Sequence, residues 1–159
     1  MLQRVQTIYF IIVMAILASL LSGIEIFAMS DGQMNFSQSV FGVECSVKGG
    51  HIEWMGQFEY AYLFVIAYVM LVFLAMMSFK SLKRQYTLSK IVLFIYVLFV
   101  LAILAVTSFG INGYSPKEIT GIHVGFGFYL LSCGLPFSYF ALKGVQKDKV
   151  LLDSLNRLR

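Results

Sequence analysis

Charged side chains are scarce in this sequence. Asp, Glu, Lys and Arg make up 13% of its 159 residues, against about 25% in soluble proteins. Hydrophobic residues reach 59%, which is more apolar surface than a soluble domain of this size can bury. Aromatic residues at 16% exclude a disordered chain, and two cysteines with two prolines exclude a disulfide framework and a proline-rich linker. The composition therefore predicts an integral membrane protein whose partner is the lipid bilayer.

The residue patterns of known enzymes and of cofactor or metal sites are missing as well. The sequence has no glycine-rich phosphate loop, no Gly-x-Ser-x-Gly and no His-Glu-x-x-His. Of the two histidines, His51 falls in a predicted loop and only His123 lies near a predicted helix, so they do not suit bis-histidine haem ligation. We therefore expect no catalytic residue, no cofactor and no metal, and we favour a protein without enzymatic activity over an enzyme.

Four apolar stretches are long enough to span a membrane, since a helix needs about 20 residues to cross a hydrocarbon core of about 30 Å. They are residues 8–28, 60–79, 91–109 and 122–142. These stretches predict an all-α membrane protein, a four-helix antiparallel transmembrane bundle that forms one domain over residues 1–159. An external loop would cover residues 29–59, and a cytoplasmic tail residues 143–159.

Lys and Arg are distributed unevenly between the two sides of this predicted bundle. One side has ten of the twelve basic residues and two acidic ones, giving +8, and the other has two basic and six acidic residues, giving −4. The basic side marks the cytoplasm, so both termini should be cytoplasmic in a bacterial inner membrane. Anionic lipid headgroups explain the net charge of +4, and we expect no nucleic-acid partner.

The external loop contains a period-two pattern. Apolar and polar residues alternate over residues 43–47 and again over 51–54, on either side of Gly49 and Gly50. This pattern predicts a small extracytoplasmic β-hairpin.

The predicted cytoplasmic tail has Leu151, Leu155 and Leu158 at helical spacing among charged residues, which indicates an amphipathic helix. It would lie on the membrane surface, extend the fourth helix or offer a face to a protein partner.

Small residues also recur at helical spacing. Ala15, Ser19 and Gly23 are four residues apart in the first span, and Gly121 and Gly125 are four apart in the last. We interpret both sets as seams where helices of this chain approach closely.

Three ionisable residues lie near the outer ends of the predicted spans: Glu25, Glu59 and His123. At a common depth they would form a candidate polar cluster that binds a proton or a cation. The alternative is that each side chain is hydrated at headgroup level.

The two ends of the chain carry its most distinctive residues, Gln3-Arg4-Val5-Gln6-Thr7-Ile8-Tyr9 and the segment from Lys147 to Arg159. They resemble the ends of a family of short, uncharacterised four-span inner-membrane proteins of the Bacteroidota, described as a domain of unknown function. Lys149 and Asn156 stand where that family usually has Glu and Asp. The resemblance implies a Gram-negative inner membrane and carries no activity or site residue with it.

Both terminal motifs would lie at the cytoplasmic edge, where they form either a clamp that closes the bundle or a docking surface. Arg4 would pair with Asp148 or Asp153. The residues of this predicted edge are Gln3, Arg4, Gln6, Asp148, Asp153, Arg157 and Arg159.

Together these patterns predict a non-catalytic accessory or scaffold subunit of a membrane assembly, with a membrane-protein partner. The alternative is a small transporter or a pH- or ion-responsive membrane protein that uses Glu25, Glu59 and His123.

Overall fold

The computed structural model combines α-helices with an antiparallel β-sheet. It describes residues 3–30, 34–47, 52–55, 61–114 and 121–157. Four α-helices lie within these ranges: α1 (Gln3–Leu20), α2 (Ala61–Met77), α3 (Leu82–Tyr114) and α4 (Phe126–Arg157). They pack side by side, with α1 and α3 each in contact with both α2 and α4.

Five strands form one sheet over the end of the helices. They are β1 (Phe27–Ser30), β2 (Met34–Ser39), β3 (Gly42–Val47), β4 (Ile52–Met55) and β5 (Gly121–Val124). The order is β4-β3-β2-β1-β5, and every pair of neighbours is antiparallel. The sheet therefore begins with strands that follow α1 and is completed by a strand that directly precedes α4.

The two faces of the sheet differ because successive side chains of a strand point to opposite sides. The inner face is apolar and buried against the helices, through Phe27, Met29, Phe36, Val43 and Cys45. Phe27 packs on Phe128 of α4 with ring centroids 5.1 Å apart, and the Thr107 hydroxyl of α3 donates a hydrogen bond to Gln38 of β2. The hydrophobic core thus runs continuously from the helices into the sheet.

The prediction of an all-α four-helix transmembrane bundle is wrong. Residues at the end of the first predicted span and at the start of the last one form β1 and β5 instead of helix. Among the described helices, two stretches are long and apolar enough to cross a membrane, Leu82–Ser108 and Phe126–Ser154. The apolar parts of α1 and α2, Val5–Leu20 and Ala61–Met77, are shorter.

The predicted hairpin is present as β3 and β4, which pair with Cys45 opposite Glu53. Its Gly49-Gly50 turn lies outside the described residues. The predicted external loop also contains β2 and the second half of β1, so the hairpin is one part of a larger sheet. The predicted tail continues α4 without a break as far as Arg157.

Candidate functional site

On β5, β1, β2 and β3, the outer face of the sheet, which points away from the helices, consists of small and polar residues, whereas Ile52 and Trp54 of β4 take the next positions of its rows. Strand register aligns His123, Ala28, Ser37 and Glu44 in one row across four strands. Ser30, Asn35 and Ser46 form the adjacent row, in which the Ser30 hydroxyl donates a 2.9 Å hydrogen bond to the Asn35 side-chain oxygen.

A depression of about 500 Å³ lies on this outer face, and we call it the sheet depression. Its volume is in the range of ordinary ligand pockets, about 300–1,000 Å³. It is lined by Glu25, Ala28, Met29, Ser30, Asn35, Phe36, Ser37, Ser46 and His123. A carboxylate, an imidazole, three hydroxyls and an amide therefore converge on one surface.

Glu25 reaches the sheet depression because the chain turns sharply after α1. Gly23 adopts a φ of 76°, a left-handed conformation that suits glycine at the end of a helix. The Glu25 carbonyl then accepts a 2.9 Å hydrogen bond from the backbone N–H of Gly127. His123 belongs to β5, which is distant from Glu25 in sequence. The pairing of β5 with β1 places His123 opposite Ala28.

The structure thus brings together two of the three residues of the predicted polar cluster. Glu25 and His123 are both exposed and line the same depression. Glu59 lies outside the described residues. Within the described part of the chain, no group of three or more His, Cys, Asp or Glu is placed to hold a metal ion.

The side chains of the sheet depression supply hydrogen-bonding groups and a carboxylate that could bind a polar ligand. The Ser30 hydroxyl is engaged within the sheet, because it donates its hydrogen bond to the Asn35 side-chain oxygen. Nucleophilic catalysis would need a hydroxyl that an adjacent base activates. The side-chain partner of the Ser30 hydroxyl is the amide of Asn35, which is not a base. The carboxylates of Glu25 and, on the same face, Glu44 favour a cationic ligand.

Gln6, Asp148 and Asp153 of the predicted cytoplasmic edge lie at the end of the helices opposite the sheet. The Gln6 side chain of α1 donates a hydrogen bond of 2.5 Å to the carboxylate of Asp148 on α4, and both are buried. Asp153 is exposed. The predicted edge also included Gln3, Arg4, Arg157 and Arg159, whose side chains lie outside the described part of the structure.

Aromatic and basic residues surround this end. The Tyr86 ring of α3 lies 4.6 Å from the Lys90 ammonium and 4.8 Å from that of Lys149 on α4. A cation above an aromatic face is attracted by the ring quadrupole. These contacts connect α3 to the same part of α4 that holds Asp148.

Sequence reasoning missed the hydroxyl and amide groups of the sheet depression. The segment 34–39 alternates in period two, with Phe36 buried and with Asn35 and Ser37 on the outer face. Such alternation is typical of a β-strand, so it could have predicted β2. The two cysteines are free, with Cys45 buried under the sheet and Cys133 exposed on α4.

Comparison with known proteins identifies a family and no activity. The sequence profile described as "Domain of unknown function (DUF4293)" matches residues 2–158. This match confirms the uncharacterised domain family predicted from the chain termini. No curated protein matches the chain.

Proposed function

Since the chain belongs to the DUF4293 family, whose description gives no activity, we propose a function from its own chemistry: a membrane-anchored, non-catalytic subunit that binds a partner through the outer face of its sheet. The observation that carries this proposal is the sheet depression, where Glu25, His123, Asn35 and serine hydroxyls converge. Such a surface can bind a polar partner without catalysing a reaction.

Membrane anchoring is supported by the helices. α3 and α4 each contain a stretch long and apolar enough to cross a bilayer, and only 22% and 28% of the residues in the most apolar windows are buried. A core helix of a soluble protein would be mostly buried. Large apolar side chains exposed on α2 and α3 include Met70, Leu74, Phe94 and Leu101. Lipid tails would cover these side chains.

The distribution of charge supports an orientation. Basic residues concentrate at the end of the helices far from the sheet, where Lys83, Arg84, Lys143, Lys147 and Lys149 are found. Glu25, just before β1, and Glu44 of β3 lie at the sheet end. By the positive-inside rule, the far end, where α1 begins and α4 ends, faces the cytoplasm and the sheet faces outward. The terminal motifs further suggest the inner membrane of a member of the Bacteroidota.

The partner proposed for the sheet depression is a basic segment of another membrane protein. Glu25 at the margin and Glu44 on the same face give this surface negative charge, which favours lysine or arginine side chains of a partner. Serine hydroxyls and the Asn35 amide supply further hydrogen-bond acceptors. A carrier that moves ions through the helices would instead need ionisable groups inside the membrane. The apolar stretches of α2, α3 and α4 contain no Asp, Glu, Lys or Arg between residues 61–77, 91–108 and 126–142.

A photo-crosslinking experiment in cells tests this proposal. A benzophenone amino acid replaces Ser37 in the sheet depression or, as a control, Thr87, which is exposed at the far end. We expect a discrete adduct from position 37 and not from position 87, with the crosslinked partner peptide containing Lys or Arg. Glu25→Lys should abolish the adduct, whereas Glu44→Lys, an equal charge change outside the depression, should weaken it less. Recovery of the monomer alone, or an adduct that survives Glu25→Lys, would contradict the proposal.

The alternative of an ion- or pH-responsive protein keeps one observation in its favour, the convergence of Glu25 and His123 in one depression. In proteoliposomes, a protein of this type would show a cation or proton flux above that of empty vesicles. The flux should disappear in both Glu25→Gln and His123→Gln and persist in Glu44→Gln. Equal fluxes in all variants and in empty vesicles would remove this alternative.

A further inference from the structure

A second cavity, quite different in chemistry, lies between α2, α3 and the sheet; we call it the α2–α3 groove. Its volume is about 480 Å³. One wall consists of α3 residues from Ile95 to Val106, the other of Ala61 and Phe64 of α2, and Ile26 and Val40 close the sheet end. Nearly all of these side chains are apolar, so the groove suits a hydrocarbon ligand.

The groove exists because α2 is much shorter than α3 on the sheet side. Phe64 of α2 stacks on Phe99 of α3, with ring centroids 5.2 Å apart. Toward the sheet, α2 extends only about one turn beyond Phe64, to its first residue, Ala61. In the same direction, α3 extends about four turns beyond Phe99, to its last residue, Tyr114. More than about one turn beyond Phe99, α3 therefore has no α2 residue beside it in the part of the chain that the structure describes.

The length of the groove matches one leaflet of a bilayer. From Ile95 to Val106, α3 rises by about 16 Å at 1.5 Å per residue. Half of a hydrocarbon core of about 30 Å is about 15 Å. An extended acyl chain from a single leaflet would thus fill the groove along its length.

The polarity of the groove changes at the sheet end. Gln38 and Ser39 line that end, and the side-chain oxygen of Gln38 accepts a 3.0 Å hydrogen bond from the Thr107 hydroxyl. A polar end joined to an apolar groove corresponds to an amphiphile with its headgroup beside the sheet. Phe64 and Leu98, which border the groove, are 46% and 48% exposed, so a chain can move in sideways from the surrounding lipid.

We propose that the α2–α3 groove holds one acyl chain of a phospholipid from the leaflet next to the sheet. This inference rests on the membrane anchoring proposed above and is independent of the partner that binds the sheet depression. The bound lipid would complete the packing between α2 and α3 and support the β2–β3 turn at Val40.

A photoactivatable lipid tests the groove directly. The purified protein is reconstituted in vesicles of phosphatidylethanolamine and phosphatidylglycerol that contain phosphatidylcholine with a diazirine on one acyl chain. Labelled residues are identified by peptide fragmentation. We expect Leu98 and Ala102 in the groove to be labelled at least about five-fold more than Leu101, which is 55% exposed on α3 and outside the groove.

Two matched variants make the result specific. Ala102→Trp fills the groove and should reduce labelling of Leu98 at least about five-fold while leaving labelling elsewhere on α3 unchanged. Leu101→Trp adds the same side chain one position away and should leave the groove signal intact. Equal labelling of groove and non-groove residues in the unmodified protein, or loss of the groove signal in both variants, would overturn the proposal.

The same measurement separates the groove from the membrane anchor on which it rests. Labelling of Leu101 without labelling of the groove means that the protein is embedded and that something other than lipid, such as a second copy of the chain, occupies the groove. A complete absence of labelling means that the chain does not enter the bilayer, which contradicts the proposed anchoring and the lipid site together.

Discussion

The Gln6 side chain of α1 donates a hydrogen bond to the carboxylate of Asp148 on α4, 142 residues later in the chain. Only 3% of Gln6 and 9% of Asp148 are exposed. A buried carboxylate depends on such donors because water no longer stabilises its charge. This hydrogen bond therefore fastens the start of α1 to the last part of α4, at the end of the helices far from the sheet.

Removal of the Gln6 donor should destabilise the fold. We expect Gln6→Leu to lower the free energy of unfolding by about 1.5–3 kcal/mol, as for hydrogen bonds to charged groups. Asp148→Asn retains a side chain that can pair with an amide and should cost less. The control is Asp153→Asn, an exposed carboxylate of the same helix, which should stay within about 0.5 kcal/mol. Unfolding curves of all variants in one detergent provide the measurement, and similar losses in Gln6→Leu and Asp153→Asn would contradict the role of the pair.

Gly134 allows α4 to approach Tyr96 of α3. A Cβ atom at position 134 would overlap the Tyr96 hydroxyl, which is held in place because it donates a 2.9 Å hydrogen bond to the carbonyl of Leu131. Gly134→Ala should therefore destabilise the protein by about 1–3 kcal/mol through overpacking. Tyr96→Phe loses the hydrogen bond, at about 1 kcal/mol, but makes room for alanine. A double-mutant cycle should show Gly134→Ala costing less in the Tyr96→Phe background, and additive losses would contradict this contact.

Gly125 forms the corner between β5 and α4. A Cβ atom there would overlap the backbone carbonyl of Glu25, and the Gly125 N–H donates a 2.9 Å hydrogen bond to the carbonyl of Ile26. Because backbone atoms cannot move aside like a side-chain end, Gly125→Ala should lower stability by about 1–3 kcal/mol and separate β5 from Glu25.

The matched control for Gly125→Ala is Gly121→Ala at the start of β5. Its Cβ atom would meet the His123 imidazole at 3.6 Å, an ordinary van der Waals distance. The yield of the adduct formed by the benzophenone amino acid at position 37 should therefore fall in Gly125→Ala and persist in Gly121→Ala. Equal crosslinking in both variants would show that the corner between β5 and α4 does not position the sheet depression.

The sheet shows which parts of the fold a local pattern can predict. The β3–β4 hairpin was predictable because alternation on both sides of two glycines is specific for strands. β1 and β5 were not, because their apolar residues continue apolar stretches, and a short apolar run does not distinguish strand from helix. Glycine is common just after the end of a helix, so Gly23 could have predicted where α1 ends. Its four-residue spacing from Ser19 instead suggests a close contact between helices, which is the interpretation that failed.

The candidate site could be predicted only in part for a similar reason. Glu25 and His123 were selected from their expected depth in the membrane, whereas their proximity arises from the pairing of β1 with β5, which are distant in sequence. Asn35 and Ser37 belong to the site only because β2 lies next to β1. No local pattern encodes such long-range strand pairing.

Cysteine accessibility in spheroplasts tests anchoring and orientation together. The natural Cys133 is exposed on α4, so in a soluble protein it would react readily with a membrane-impermeant maleimide. If α4 crosses the bilayer, Cys133 faces hydrocarbon and should stay unlabelled, because the reagent and the reactive thiolate both need water. In a Cys133→Ser background, Ser46→Cys on the sheet should be labelled in intact spheroplasts, and Lys147→Cys at the far end only after permeabilisation. Labelling of Lys147→Cys in intact spheroplasts would reverse the orientation, and rapid labelling of Cys133 would contradict anchoring through α4.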